Sequence, residues 1–181
     1  MQVRDNAAVV PGDLADAFRQ EAPGLLGFFV RRVSPPEDAA DLVSETFLAA
    51  WRSKQRDAVA PDLRRAWLFG IARKVLSQYR RGRRRRSALS ERVRASVGAD
   101  LAAGGVHPSD EFDPELVEHV RELIRCLSPL DREIIELVYW EGFTQEEVAT
   151  ILGKPSATIR SRLSRARAVL RNQLEESGDI S

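Results

Sequence analysis

Residues 143–174 read FTQEEVATILGKPSATIRSRLSRARAVLRNQL, and this stretch decides the fold. Thr144 is a natural N-cap with Glu147 three residues on, so 144–147 spell a capping box. Val148, Ile151 and Leu152 form one apolar stripe at helical spacing. Gly153 is placed to stop that helix in the left-handed conformation, and Pro155 keeps the chain from continuing helically. Ser156 is expected to cap a second helix whose apolar line is Ile159, Leu163, Ala166 and Leu170. Thr158, Arg160, Ser161, Arg162, Ser164, Arg165, Arg167 and Arg171 fall on its other faces.

Two helices joined by so tight a turn make a helix-turn-helix, in which the first helix braces the second and the second enters a major groove. Arginine reads guanine there with a bidentate fork, and phosphate contacts supply much of the affinity. Residues 153–171 suit both tasks, with six Lys or Arg and no acid. A solvated basic face on an ordinary amphipathic helix would show the same charge, but would not require the cap and glycine turn beside it.

The 181 residues carry a net charge of only +1, yet the charge is segregated. Residues 63–86 hold ten Lys or Arg and no acid, and residues 110–147 hold twelve Asp or Glu against three Arg. Two basic surfaces flanking an acidic block suggest two contacts with a polyanion. Cys126 is the single cysteine, which excludes an internal disulfide; its apolar neighbours suggest a core position. No window approaches a membrane span and the N-terminus has no signal-peptide pattern, so a cytoplasmic protein without membrane contact is expected.

In chain order, residues 1–12 read as a loose tail. Asp13 is expected to cap a helix that Pro23-Gly24 breaks or bends, with the apolar segment Leu25 to Val33 beyond. Ser34, Pro35 and Glu37 read as a capping box for DAADLVSETFLAAW, residues 38–51. One face of that helix, Ala39, Val43, Phe47 and Ala50, is apolar. The opposite face, Asp38, Asp41, Glu45 and Leu48, suits docking to a basic protein, or else is a solvated face. After a polar loop at 52–62, Trp67, Ile71, Val75 and Tyr79 mark a core stripe, with Arg73, Lys74, Arg80 and Arg81 away from it. Gly82 is expected to end that helix. Arginines interleaved with aromatics suit single-stranded nucleic acid, although a core helix with a basic tail gives the same pattern. Residues 87–112 read as a flexible linker. Two further helices, with Cys126 and Trp140 among their inward positions, lead into the helix-turn-helix. The expectation is all-α: two small helical domains joined by a flexible linker, the C-terminal one a four-helix domain. No zinc set, phosphate loop, nucleophile elbow or HExxH occurs, so neither metal, cofactor nor catalytic residue is expected and the protein is not expected to be an enzyme.

With these motifs in hand, the chain resembles the extracytoplasmic-function group of bacterial sigma factors in the sigma-70 family. DAADLVSETFLAAW resembles the helix that docks on the clamp of core RNA polymerase. RAWLFGIARKVLSQYRRGRRR resembles the promoter-melting and −10-reading segment. LSPLDREIIELVYWEGFTQEEVATILGKPSATIRSRLSRARAVLR resembles the −35-reading domain. The resemblance implies a tail at 1–12, region 2 at 13–86, a linker at 87–112, region 4 at 113–174 and a C-terminal tail at 175–181. It implies a transcription initiation factor whose partners are core RNA polymerase, through its clamp and flap, promoter DNA, and an anti-sigma factor as a candidate regulator. By position, Asp38, Asp41, Glu45, Leu48 and Trp51 fall in the docking helix. Trp67, Arg73, Lys74, Arg80 and Arg81 fall where the family engages and melts the −10 element. Arg160, Ser161, Ser164 and Arg165 fall where the family reads −35 bases, with Thr158 and Arg162 placed near backbone or bases. Many members carry Asn where this chain has Lys74, and lysine lacks the donor–acceptor pair of an amide. Two other readings stand beside this one. A self-sufficient regulator sharing only the helix-turn-helix would need a βα domain in front. An RNA-binding protein using Arg83 to Arg86 would leave the last helix unexplained.

Overall fold

The computed structural model describes residues 12–94 and 114–177, which form seven α-helices and, among the described residues, no strand. The elements are α1 (Gly12–Val30), α2 (Asp38–Arg52), two 3-10 turns (Arg56–Ala58 and Pro61–Leu63), α3 (Arg64–Arg94), α4 (Pro114–Cys126), α5 (Pro129–Tyr139), α6 (Gln145–Leu152) and α7 (Ser156–Glu176). Helices α1 and α2 pack on α3, and α4, α5 and α6 pack on α7.

Side-chain burial explains both groupings. Leu25, Phe28 and Phe29 of α1 meet Leu42, Val43 and Phe47 of α2 and Leu68, Phe69 and Leu76 of α3. Ile134 and Leu137 of α5, Val148 and Ile151 of α6, and Ile159 and Leu163 of α7 fill the second group. Each such side chain contributes about 1.5–3 kcal/mol when fully buried. The two groups do not stand apart. Helix α3 packs against α6, the Phe69 and Phe143 rings meet edge-on with centroids 4.8 Å apart, and the core is continuous through them.

Several sequence expectations are corrected. Helix α1 runs through Pro23 and already contains Asp13. A proline inside a helix costs about 3 kcal/mol, which the burial of Leu25, Phe28 and Phe29 just beyond it outweighs. Ser34 does not cap α2: the helix starts at Asp38, preceded by Glu37 without a side-chain cap, and the Ser34 carbonyl faces the Tyr79 hydroxyl. Helix α3 does not stop at Gly82 but continues to Arg94, so the first residues of the expected linker at 87–112 are helical; those from 95 on lie outside the described residues, as does the tail at 1–11. Cys126 is exposed rather than in the core, and Trp140 is 45% exposed where an inward position was expected. Pro155, not Ser156, is the N-cap residue of α7.

Candidate nucleic-acid interface

The turn that presents α7 is built as its residues dictate. The Thr144 N–H donates to Glu147 Oε2 at 2.8 Å, and the Glu147 N–H donates back to Thr144 Oγ1 at 3.2 Å. Gly153 has φ +60°, a conformation that strains any residue with a Cβ, and the following Lys154 N–H returns to the Ala149 carbonyl. Ile159, Leu163 and Ala166 then seat α7 in the core. Arg160, Ser161, Ser164 and Arg165 are thereby turned outward and exposed, with Thr158 half-buried. Ser161 Oγ donates to the Thr158 carbonyl and Arg165 Nε to the Ser161 carbonyl. Beside them Gln145, Arg160, Ser164, Arg167 and Arg171 line a hollow of about 270 Å³. Three guanidinium groups around one concave surface make a site for an anion or a base edge.

Arg162 differs from its neighbours. Its Nη1 donates to Asp131 Oδ1 at 2.9 Å, and the other Asp131 oxygen accepts from Ser128 Oγ at 2.6 Å. Ser128 caps α5, its hydroxyl accepting from the Asp131 N–H. Burial opposes the charge on Asp131, but the Ser128 hydroxyl and the Arg162 guanidinium outweigh it and hold the carboxyl below its ordinary range. Arg162 thus ties α7 to the start of α5.

On α3 the structure separates the expected residues. Lys74 and Arg81 are exposed, and Arg81 Nη1 donates to Ser77 Oγ. Trp67 is half-buried against the core. Arg80 Nη2 donates to the Arg32 carbonyl, and burial together with the Arg32 charge pushes its guanidinium below the usual value. Arg73 is engaged across the molecule: its Nε and Nη2 donate to the two carboxylate oxygens of Glu133 on α5, at 2.7 and 3.2 Å.

Helix α2 turns Asp41, Glu45 and Leu48 outward, with Leu48 52% exposed. Asp38 is drawn off that face, since its Oδ2 accepts from the Tyr79 hydroxyl at 2.6 Å. Burial, then this contact, raises the tyrosine pKa. Trp51 is half-buried under the Arg56 guanidinium, 4.8 Å from its ring centroid.

Sequence reasoning missed a charged cluster at the meeting of the two halves. The Glu141 side chain, only 3% exposed, accepts from Arg31 Nη2 at 2.7 Å and Arg32 Nη1 at 2.8 Å. Arg32 also pairs with Glu136 at 2.8 Å. Arg65 donates to the Glu141 carbonyl and lies 4.1 Å from the Phe143 ring centroid. The signal was present in the sequence as basic and acidic blocks of opposite sign, which can pair with each other as well as with a polyanion.

Comparison with known proteins agrees with both halves. The family model "Sigma-70 region 2" matches residues 17–86 and "Sigma-70, region 4" matches residues 118–170. "Probable RNA polymerase sigma factor RfaY" of Xanthomonas campestris is 37% identical over 77% of this chain, which spans 34% of that protein's length. "ECF RNA polymerase sigma factor SigL" of Mycobacterium tuberculosis is 30% identical over 89% of this chain and 88% of its own. Among solved structures, the sigma factor RpoE in complex with the anti-sigma factor NepR from Bartonella quintana superposes with a TM-score of 0.62 at 30% identity, covering 91% of this chain and 98% of that one.

Proposed function

The chain belongs to the extracytoplasmic-function group of the sigma-70 family of RNA polymerase sigma factors, and from that premise we propose how its residues divide the work of promoter-directed initiation. It is a transcription initiation factor that directs core RNA polymerase to promoter DNA. It acts in the cytoplasm by recognition, leaving bond-making to the polymerase.

Residues 13–86 act as region 2 and residues 113–174 as region 4, joined by the linker that follows α3. Asp41, Glu45 and Leu48 are the docking face for core polymerase; Asp38 and Trp51 shape the ends of that helix, one held by Tyr79 and the other under Arg56. Arg160, Ser161, Ser164 and Arg165 read −35 bases, with Thr158 beside the backbone. Arg162 positions the helix through Asp131. Trp67, Arg73, Lys74, Arg80 and Arg81 engage the −10 element. An anti-sigma factor is the expected class of regulator, since the similar RpoE structure holds one.

The observation that carries the division is the outward set on α7, four polar or basic side chains held out by a buried stripe at Ile159, Leu163 and Ala166. Run-off transcription with purified core polymerase on a promoter library tests it. Protein-dependent transcripts sharing −35 and −10 patterns are expected. Duplex binding without polymerase and no new transcripts would refute the assignment in favour of an independent regulator.

A further inference from the structure

Of the α3 side chains assigned above to the −10 element, Arg73 and Arg80 end on the protein itself. Arg73 forks onto Glu133 and Arg80 Nη2 donates to the Arg32 carbonyl, while Trp67 is half-buried. Lys74 and Arg81 remain, exposed and two helical turns apart on one face. Ser77, Gln78 and Arg85 are exposed on that same face, at i+3, i+4 and i+11 from Lys74. No acid occurs anywhere in residues 63–86. A face turned only to water has no reason to exclude acids, since soluble surfaces mix both signs.

The groups along this ridge differ in what they can tell apart. Lysine and arginine only donate, so they accept any acceptor as a partner, a phosphate above all. Ser77 Oγ is engaged, accepting from Arg81 Nη1 at 2.7 Å, and that contact holds the guanidinium along the ridge. Gln78 carries a carbonyl and an NH2 side by side, and among the described residues its amide has no hydrogen-bond partner. Among the major-groove edges of the four bases, only adenine's N6 and N7 offer the matching donor and acceptor. From Lys74 to Arg81 the helix rises about 10 Å, close to three stacked nucleotides at about 3.4 Å each. Gln78 therefore stands over the middle of a short stretch of strand whose phosphates are within reach of its basic neighbours.

Resting on the initiation-factor reading above, we propose that Gln78 is a specificity-determining residue for the −10 element: its amide selects adenine at one position, through N6 and N7, while Lys74, Arg81 and Arg85 hold phosphates beside it. Base choice and affinity are then carried by different residues of one helix face.

Run-off transcription with purified core polymerase, on templates randomised across the −10 element, tests this. Wild type is expected to prefer adenine at one position by about tenfold, as a bidentate pair provides. Gln78→Ala should lose that preference and keep the pattern at every other position. Gln78→Glu presents acceptors alone and should move the preference to cytosine, whose N4 donates. A template with 7-deazaadenine at that position lacks the N7 acceptor; its transcript should fall at least about threefold with wild type and match that of adenine with Gln78→Ala. Lys74→Ala should lower all templates together and reduce the salt slope of binding by about one. Position 78 is exposed, and alanine and glutamate are good helix formers, so both variants should melt with wild type. An unchanged −10 pattern in Gln78→Ala, an equal loss across all templates, or a wild type indifferent to 7-deazaadenine overturns the proposal. Failure of the initiation-factor reading would look different: wild type itself would give no transcript with core polymerase, and the assignment of Gln78 would fall with it.

Discussion

Replacing Arg162 by Ala is expected to weaken the fold without changing which bases the protein prefers, although this residue lies on the same helix as the proposed base readers. Its guanidinium ends 2.9 Å from Asp131, with side chains 33% and 23% exposed. An exposed pair is worth up to about 1 kcal/mol, and a hydrogen bond to a charged group inside a protein about 1.5–3 kcal/mol. Discounted for partial exposure, the loss should be about 1 kcal/mol, or about 2–4 °C in Tm for a chain of this size. The effect should also depend on pH. The Asp131 carboxyl is held below its ordinary range, so its contribution is complete above the unfolded pKa of about 3.9 and is lost as pH falls through the folded value. The difference in Tm between wild type and Arg162→Ala should therefore be full at pH 7 and should narrow under acid. Thermal melts across that range, paired with competition binding to −35 duplexes carrying single-base changes, make the measurement. Relaxed preference at one base with an unchanged melt would refute the argument and return Arg162 to the groove.

Arg160→Ala and Arg165→Ala should each cost about 1–3 kcal/mol of discrimination at one −35 position; equal losses on all sequences would show contact with phosphates alone. Asp41→Arg with Glu45→Arg should weaken binding to core polymerase, mainly through a slower on-rate that salt compresses, with the melt unchanged. Unaltered affinity would return that face of α2 to solvent. Leu163→Ala, at a side chain only 3% exposed, should destabilise by about 2–5 kcal/mol, and denaturant titration would detect it. Gly153→Ala places a Cβ at φ +60° and should cost about 1–2 kcal/mol, seen as an earlier melt.

The helix-turn-helix was legible because its signals are local. A cap, a positive-φ glycine and an apolar stripe each act within one or two turns, and 144–171 contains all three. The outward positions of α2 were legible for the same reason. What failed depended on distant partners. Gly82 looked like a stop, but a mid-helix glycine costs only about 1 kcal/mol, and the helix runs on through it to Arg94. Ser34 looked like a cap, but its carbonyl lies beside Tyr79, 45 residues away. Trp140 was read at an inward helical position, but α5 ends at Tyr139 and Trp140 is its C-cap residue, 45% exposed. The pairing of Arg73 with Glu133 spans 60 residues. Charge segregation hinted at an external polyanion, and the same segregation also serves contacts within the chain.

The unbroken course of α3 gives this protein a ruler. At 1.5 Å per residue, its 31 residues from Arg64 to Arg94 measure roughly 46 Å. Trp67 and Arg81 are fixed on it about 21 Å apart, which is close to the length of six stacked nucleotides at about 3.4 Å each. The graduations are angular as well as linear. One residue inserted between Lys74 and Arg80 would advance the later marks by about 1.5 Å and swing them by roughly 100°, onto another side of the rod. Loop-borne contacts can absorb an insertion by re-bending; side chains carried on one helix cannot, so under the proposed −10 role the distance between Trp67 and Arg81 is a property of the chain before any DNA arrives.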